Sequence, residues 1–70
     1  MRLGRRRLVR LHMDGMDASI EGVLVGRHGG HYVLRRPRVI ESEDKSVSLD
    51  GPEVWVPCGR VLFVQRMGAG

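Results

Sequence analysis

Cysteine, aromatic residues and long apolar runs are all scarce in this sequence of 70 residues. Cys58 is the only cysteine, so no disulfide can form within the chain, and a single thiol fits a reducing compartment. No apolar run approaches the roughly 18 residues of a transmembrane helix. The basic N-terminus is not followed by the apolar segment of a secretory signal. We therefore expect a chain that is neither exported by a signal peptide nor bound to a membrane.

The residue types used in catalysis are present, but not in catalytic arrangements. No serine lies in a glycine elbow or beside a recognisable base. Asp14 and Asp17 flank a tight turn, where aspartate commonly bonds to its own backbone. His28, His31 and Cys58 are too few for a structural zinc site, which uses four N or S ligands. The sequence therefore predicts no enzyme activity, metal, cofactor or small-molecule substrate.

The length limits what the chain can do alone. A domain of this size buries only about 60% of its unfolded surface, and here no disulfide reinforces it. We therefore expect one domain that gains stability from copies of itself or from a larger assembly.

Positive charge is concentrated in the first part of the chain. Residues 1–40 contain nine Arg and three acids, whereas residues 41–70 contain three basic residues and five acids, for a net charge of +4. Such asymmetry favours an acidic partner, either nucleic acid or an acidic protein surface. Coding bias in a GC-rich genome is the simpler explanation of why eleven of the twelve basic residues are Arg.

Alternating apolar and polar residues predict strands through most of the chain. In the first strand, Leu8–Met13, the side chains of Val9, Leu11 and Met13 share one face. Asp14-Gly15 then predicts a type I′ hairpin turn. The second strand, residues 16–27, carries Gly22, which predicts a strong bend. We expect Ala18, Ile20 and Leu24 on one face of it and Ser19, Glu21 and Arg27 on the other.

Two glycines and a proline shape the middle of the chain. His28-Gly29-Gly30 predicts a second turn, followed by a third strand over residues 31–41. Pro37 has no amide hydrogen, so it must lie at an edge or a bulge. A fourth strand begins at Val47, is interrupted at residues 50–52, and resumes at Val54.

Two apolar runs end the chain, residues 54–56 and 61–64, separated by Pro57-Cys58-Gly59-Arg60. The separation is too short for a crossover, so it predicts a tight corner before a fifth strand over residues 61–67. Pairing of this strand with the first would close the sheet and cover its edges. The sequence thus predicts an all-β fold: a basic arm over residues 1–7, a small five-stranded barrel over 8–67, and a tail over 68–70.

Four stretches resemble small SH3-like and Sm-like barrels. They are Leu11-x-x-x-Gly15, Ile20-Glu21-Gly22-Val23-Leu24, Tyr32-Val33-Leu34 and Val54-x-Val56-Pro57-x-x-x-Val61-x-Phe63-Val64. The resemblance implies a strongly bent barrel and no particular function, because such folds have many roles. The nucleotide-binding motifs of Sm-like proteins are not matched: the turn before Tyr32 has no Asn, and Gly59-Arg60 reverses the Arg-Gly pair.

The basic start, the His-Tyr-Val-Leu strand and the Val-Pro-x-x-x-Val-x-Phe-Val ending also resemble small proteins of tailed phages of high-GC bacteria. This resemblance implies an accessory virion protein in the capsid, connector or tail, located in the virion or the host cytoplasm. The expected partners are other virion proteins and copies of the chain itself.

Candidate interface residues follow from charge and alternation. Trp55 lies between Val54 and Val56, so it points outward if they point inward. The alternative is that Trp55 covers an end of the barrel or packs under the loop of residues 42–52. The arginines form either a solvated face or a phosphate-binding face. A nucleic-acid-binding barrel is therefore the alternative function, and a module that accepts a peptide at a sheet edge is a third. The candidates are Arg2, Arg5, Arg6, Arg7, Arg10, Arg35, Arg36, Arg38 and Trp55.

Overall fold

A computed structural model describes residues 7–67 of the chain. These residues form an antiparallel sheet of six strands. The strands are β1 (Arg7–Met13), β2 (Ser19–His28), β3 (His31–Ser42), β4 (Lys45–Ser48), β5 (Glu53–Pro57) and β6 (Val61–Arg66). A 3-10 turn, Cys58–Arg60, joins β5 to β6. The all-β prediction is confirmed, and the predicted arm and tail lie wholly or largely outside the described residues.

The strand order is β4-β3-β2-β1-β6, and β5 also pairs with β3. The last strand therefore pairs with the first, as predicted, with Leu11 opposite Val64. The sheet is nevertheless not closed: within residues 7–67 no ladder joins β6 to β4 or β5. The corner at Cys58–Arg60 sends β5 to β3 and β6 to β1, so the two strands diverge.

The predicted fourth strand is two strands. β4 and β5 both pair antiparallel with β3, β4 opposite residues 38–42 and β5 opposite residues 31–35. The connection between them includes Gly51, whose φ is +97°, and Pro52. A positive φ and a residue without an amide hydrogen both interrupt a ladder of backbone hydrogen bonds. The predicted fourth strand is therefore divided in two, and the sheet has six strands where five were expected.

One of the two predicted hairpin turns is confirmed and the other differs from expectation. Gly29 and Gly30 both have positive φ, which is the requirement of a type I′ turn, and they connect β2 to β3 directly. The type I′ prediction at Asp14-Gly15 is wrong, because only Gly15 has positive φ there. β2 consequently begins at Ser19 rather than Met16, and the connection from β1 is longer.

A bulge bends the sheet at the position of Gly22. Glu21 is opposite Arg38 whereas Val23 is opposite Arg35, so β3 has one extra residue there. Pro37 lies in this bulge, where a residue without an amide hydrogen can be placed within a sheet. Its side chain is fully buried. Of the two places predicted for Pro37, an edge or a bulge, the structure has the bulge, and it lies opposite Gly22.

Arg36 in this bulge has a φ of +53°, a conformation that is strained for a residue with a side chain. Replacing Arg36 with glycine is expected to stabilise the fold by about 0.5–1 kcal/mol because glycine adopts positive φ readily. Arg35→Gly is the matched control, since Arg35 lies at a regular position of the ladder, and it should destabilise by a similar amount. Urea denaturation measures both, and a loss of stability in both variants would contradict the assigned conformation.

The core lies on one face of the bent sheet. Val9, Leu11 and Met13 of β1 are buried, as predicted, and they cluster with Leu34 and Val56. Further apolar side chains pack against this cluster: Ile20, Leu24, Tyr32, Val54 and Val61. Ile20 and Leu24 of β2 therefore face the core, as predicted. Ser19 and Glu21, which were expected on the other face, are buried as well.

Candidate interaction surfaces

The predicted interface arginines that lie within residues 7–67 differ in their environments. Arg2, Arg5 and Arg6 lie outside the described residues. Arg7, Arg35 and Arg36 are exposed, whereas Arg10 is half-buried and turns toward Glu21. Arg38 is exposed but also pairs with Glu21.

Glu21 connects three strands on the face opposite the core. Its Oε2 accepts a hydrogen bond from Nη2 of Arg10 on β1 at 3.0 Å, and its Oε1 lies 3.8 Å from Nη1 of Arg38 on β3. Arg38 also donates to the hydroxyl of Ser46 on β4. Glu21 is buried, so these partners offset the cost of removing its charge from water. The group links β1, β2, β3 and β4.

Replacing Glu21 with glutamine is expected to destabilise the fold by about 1–3 kcal/mol, because Arg10 loses a charged partner in a half-buried position. Breaking a fully buried ion pair would lower stability by more than this. The Arg10 and Arg38 side chains are 27% and 49% exposed, so that larger loss does not apply here. Glu41→Gln is the control: Glu41 pairs with Lys45 at 3.5 Å in solvent, and its loss should change stability by less than about 0.5 kcal/mol. Chemical denaturation compares them, and equal effects would contradict the role assigned to Glu21.

A polar concavity of about 500 Å³ lies over this group. Acidic side chains outnumber the two arginines in its lining, which includes Arg10, Arg38, Asp17, Glu21, Glu41 and Glu43. Both arginines also lie against Glu21, whose carboxylate offsets part of their positive charge. The concavity therefore does not favour an anionic ligand.

Trp55 points away from the core, as its alternation with Val54 and Val56 predicts. The ring is 46% exposed, and its Nε1 donates a hydrogen bond to Oε2 of Glu53 at 2.8 Å. The His28 ring meets it edge-on, with the ring centroids 5.2 Å apart. Trp55 therefore forms an exposed aromatic patch with the β2–β3 hairpin and does not cover an end of the sheet.

The most apolar exposed segment is on β6, which sequence reasoning did not single out. Among residues 7–67, the large apolar side chains that are exposed on β6 are consecutive: Leu62 at 63%, Phe63 at 56% and Val64 at 39%. The other exposed large apolar residues lie on separate elements: Leu8, Met16, Val25, Val47 and Trp55. Three apolar residues in a row predict a strand covered on both sides, so their exposure on an outer strand marks an uncovered surface.

Three contacts to β1 fix the orientation of β6. The Phe63 ring stacks on His12 with centroids 4.3 Å apart, and Nε2 of His12 donates to Oε1 of Gln65 at 2.8 Å. The amide of Met67 donates to the carbonyl of Leu8 at 2.8 Å. Backbone groups alternate in direction along a strand, so Phe63 and Gln65 also bond toward β1. Val64, between them, directs its N–H and C=O away from the sheet.

Within residues 7–67, no group of three or more His, Cys, Asp or Glu side chains is arranged to hold a metal ion. In the same range, no helix is long and apolar enough to cross a membrane.

The chain matches no protein-family model, no curated protein and no solved structure.

Proposed function

We propose that this chain is a non-catalytic assembly module, an accessory virion protein of a tailed phage that acts by packing against other proteins. The observation that carries the proposal is the outer strand β6, with Leu62, Phe63 and Val64 exposed in sequence. Burying such a strand against a neighbour satisfies its outward backbone groups and removes apolar surface from water. The Trp55 patch is a second contact surface of the kind that protein partners use.

The proposal extends to the architecture, an SH3-like or Sm-like fold. Hairpins lead from β1 through β3, and the one-turn corner at Cys58–Arg60 returns the chain to β1. This arrangement supports the resemblance of the sequence to those barrels. An open sheet also suits an assembly module, because an outer strand such as β6 remains available to a neighbour.

Purification of the phage particles tests this function. We expect the chain to remain with the particles through a density gradient, at a fixed copy number given by quantitative mass spectrometry. A chain that stays in the soluble fraction, and is absent from washed particles, would contradict the proposal.

The alternative is a nucleic-acid-binding module, and one observation favours it. Arg35 and Arg36 are exposed on β3, and Arg27 lies over the Tyr32 ring with its guanidinium carbon 5.7 Å from the centroid. Affinity for RNA or DNA should then fall steeply with salt, and replacing Arg35 and Arg36 with alanine should lower the slope of log K against log salt by up to about 2. Replacing Arg5, Arg6 and Arg7 with alanine tests the N-terminal arm in the same way. No detectable binding at low salt would eliminate this alternative.

A further inference from the structure

Three strands of the sheet have an outer edge, and their chemistry differs. Within residues 7–67, β4 and β5 pair only with β3, and β6 pairs only with β1. An outer edge exposes unpaired backbone groups that can bond to a strand of another molecule. Proteins block such edges with short strands, proline or charged residues, lysine above all.

The β4 edge is blocked by length and charge. It has four residues, and it begins at Lys45, whose side chain is exposed. One extra strand placed there would gain few hydrogen bonds and would meet a charge.

The β5 edge is blocked by proline. The amide of Cys58 donates to the carbonyl of Gly30 at 2.9 Å. Because backbone groups alternate in direction along a strand, those of Glu53, Trp55 and Pro57 point outward, away from β3. Pro57 has no N–H to offer at that edge, Pro52 precedes the strand, and Glu53 adds a charge.

The β6 edge has the fewest of these features. Its six residues contain no proline and one charge, Arg66, and its middle is apolar. Val64 and Arg66 direct their N–H and C=O groups outward, since Phe63 and Gln65 are turned to β1. Leu62 is an extra residue in the ladder between β6 and β1, and from Phe63 onward β6 is the least blocked edge in the described part of the chain.

We propose that β6 binds β6 of a second copy of this chain, in an antiparallel pair about a two-fold axis beside Val64. The inference rests on the proposed assembly function and identifies its first partner. A second copy fits because it brings the same β6 edge, whereas its β4 and β5 edges are blocked. The antiparallel register places Phe63 opposite Gln65 of the other copy and Leu62 opposite Arg66, so the two Arg66 charges are kept apart. Pairing occupies the β6 edge of both copies, and association stops at two.

Sedimentation velocity over a range of concentrations tests this dimer. The wild-type chain should reach twice its mass of 7.9 kDa as concentration rises. Leu62→Lys should raise the dissociation constant about tenfold or more, because it adds charge beside the paired strands. Val47→Lys is the matched control: it adds the same charge at a similarly exposed apolar position on β4, and it should leave the dimer unchanged.

Val64→Pro provides an independent variant. Proline removes an N–H that points outward, so it should abolish the dimer while the bonds from β6 to β1 remain. Circular dichroism establishes whether each variant is folded, and Leu62→Lys keeps the test decisive if Val64→Pro does not fold.

Each other outcome contradicts the inference. A wild-type chain that stays monomeric at all concentrations, a dimer lost with Val47→Lys but kept with Leu62→Lys, or open-ended oligomers would each overturn β6 pairing. The particle experiment separates the two proposals: a monomer that is still incorporated into virions contradicts the dimer and retains the assembly function. A monomer absent from particles contradicts both.

Discussion

Replacing Leu34 with alanine is expected to lower the free energy of unfolding by about 2–5 kcal/mol. Leu34 is fully buried in the centre of the core, opposite Leu24 on β2 and Val54 on β5. Truncation leaves a cavity that these neighbours cannot fill without moving the strands. A domain of this length has a total stability of only about 4–10 kcal/mol, so this one truncation removes roughly half of it at mid-range values.

Leu62→Ala is the control for this truncation, because the same atoms are removed from a side chain that is 63% exposed. Its stability should change by less than about 0.5 kcal/mol. Urea denaturation followed by circular dichroism measures both variants. A Leu62→Ala loss as large as that of Leu34→Ala would mean that the core is not where the structure places it.

Replacing Gly22 with alanine is expected to destabilise the fold by about 1–3 kcal/mol. A Cβ at this position would lie 3.0 Å from the carbonyl oxygen of Arg35 and 3.1 Å from Cβ of Leu34. Neither neighbour is the end of a flexible side chain, so the bulge of β3 must shift to admit the methyl group. The close approach explains why the chain bends at a glycine here.

Gly26→Ala is the matched control on the same strand. A Cβ at Gly26 would meet nothing within 4 Å, so the substitution should stabilise slightly, by up to about 1 kcal/mol, through the lower entropy of the unfolded chain. The sign of the effect should therefore differ between the two variants, as measured by thermal or urea unfolding. Stabilisation by Gly22→Ala would contradict the assigned bulge.

Sequence reasoning succeeded where the signal is local. Alternation placed Leu11 in the core and gave the outward side as one of two positions for Trp55. The missing amide of Pro37 restricted this residue to an edge or a bulge, and it lies in a bulge. The Gly29-Gly30 hairpin follows from two residues that tolerate positive φ. At Asp14-Gly15 the same argument failed, because the amide of Asp14 bonds to the carbonyl of Arg60 at 2.8 Å, a contact distant in sequence.

The features that depend on strand order were not predictable. Glu21 reads as an outward polar residue, and only the register of β1, β2 and β3 brings Arg10 and Arg38 to it. Likewise, the sequence marks Leu62, Phe63 and Val64 as apolar without indicating that β6 ends the sheet. A strand forms an edge when it is paired on one side only, and this depends on the order of all the strands in the sheet.

Hydrogen exchange at single amides of β6 tests most directly that this strand is bonded to β1 on one side and offers its other side to a second molecule. In dilute solution the amides of Phe63, Gln65 and Met67 should exchange slowly, while those of Val64 and Arg66 exchange fast. Raising the concentration should slow Val64 and Arg66 and leave the other three unchanged. Equal protection of all five amides in dilute solution, or no dependence on concentration, would contradict the account.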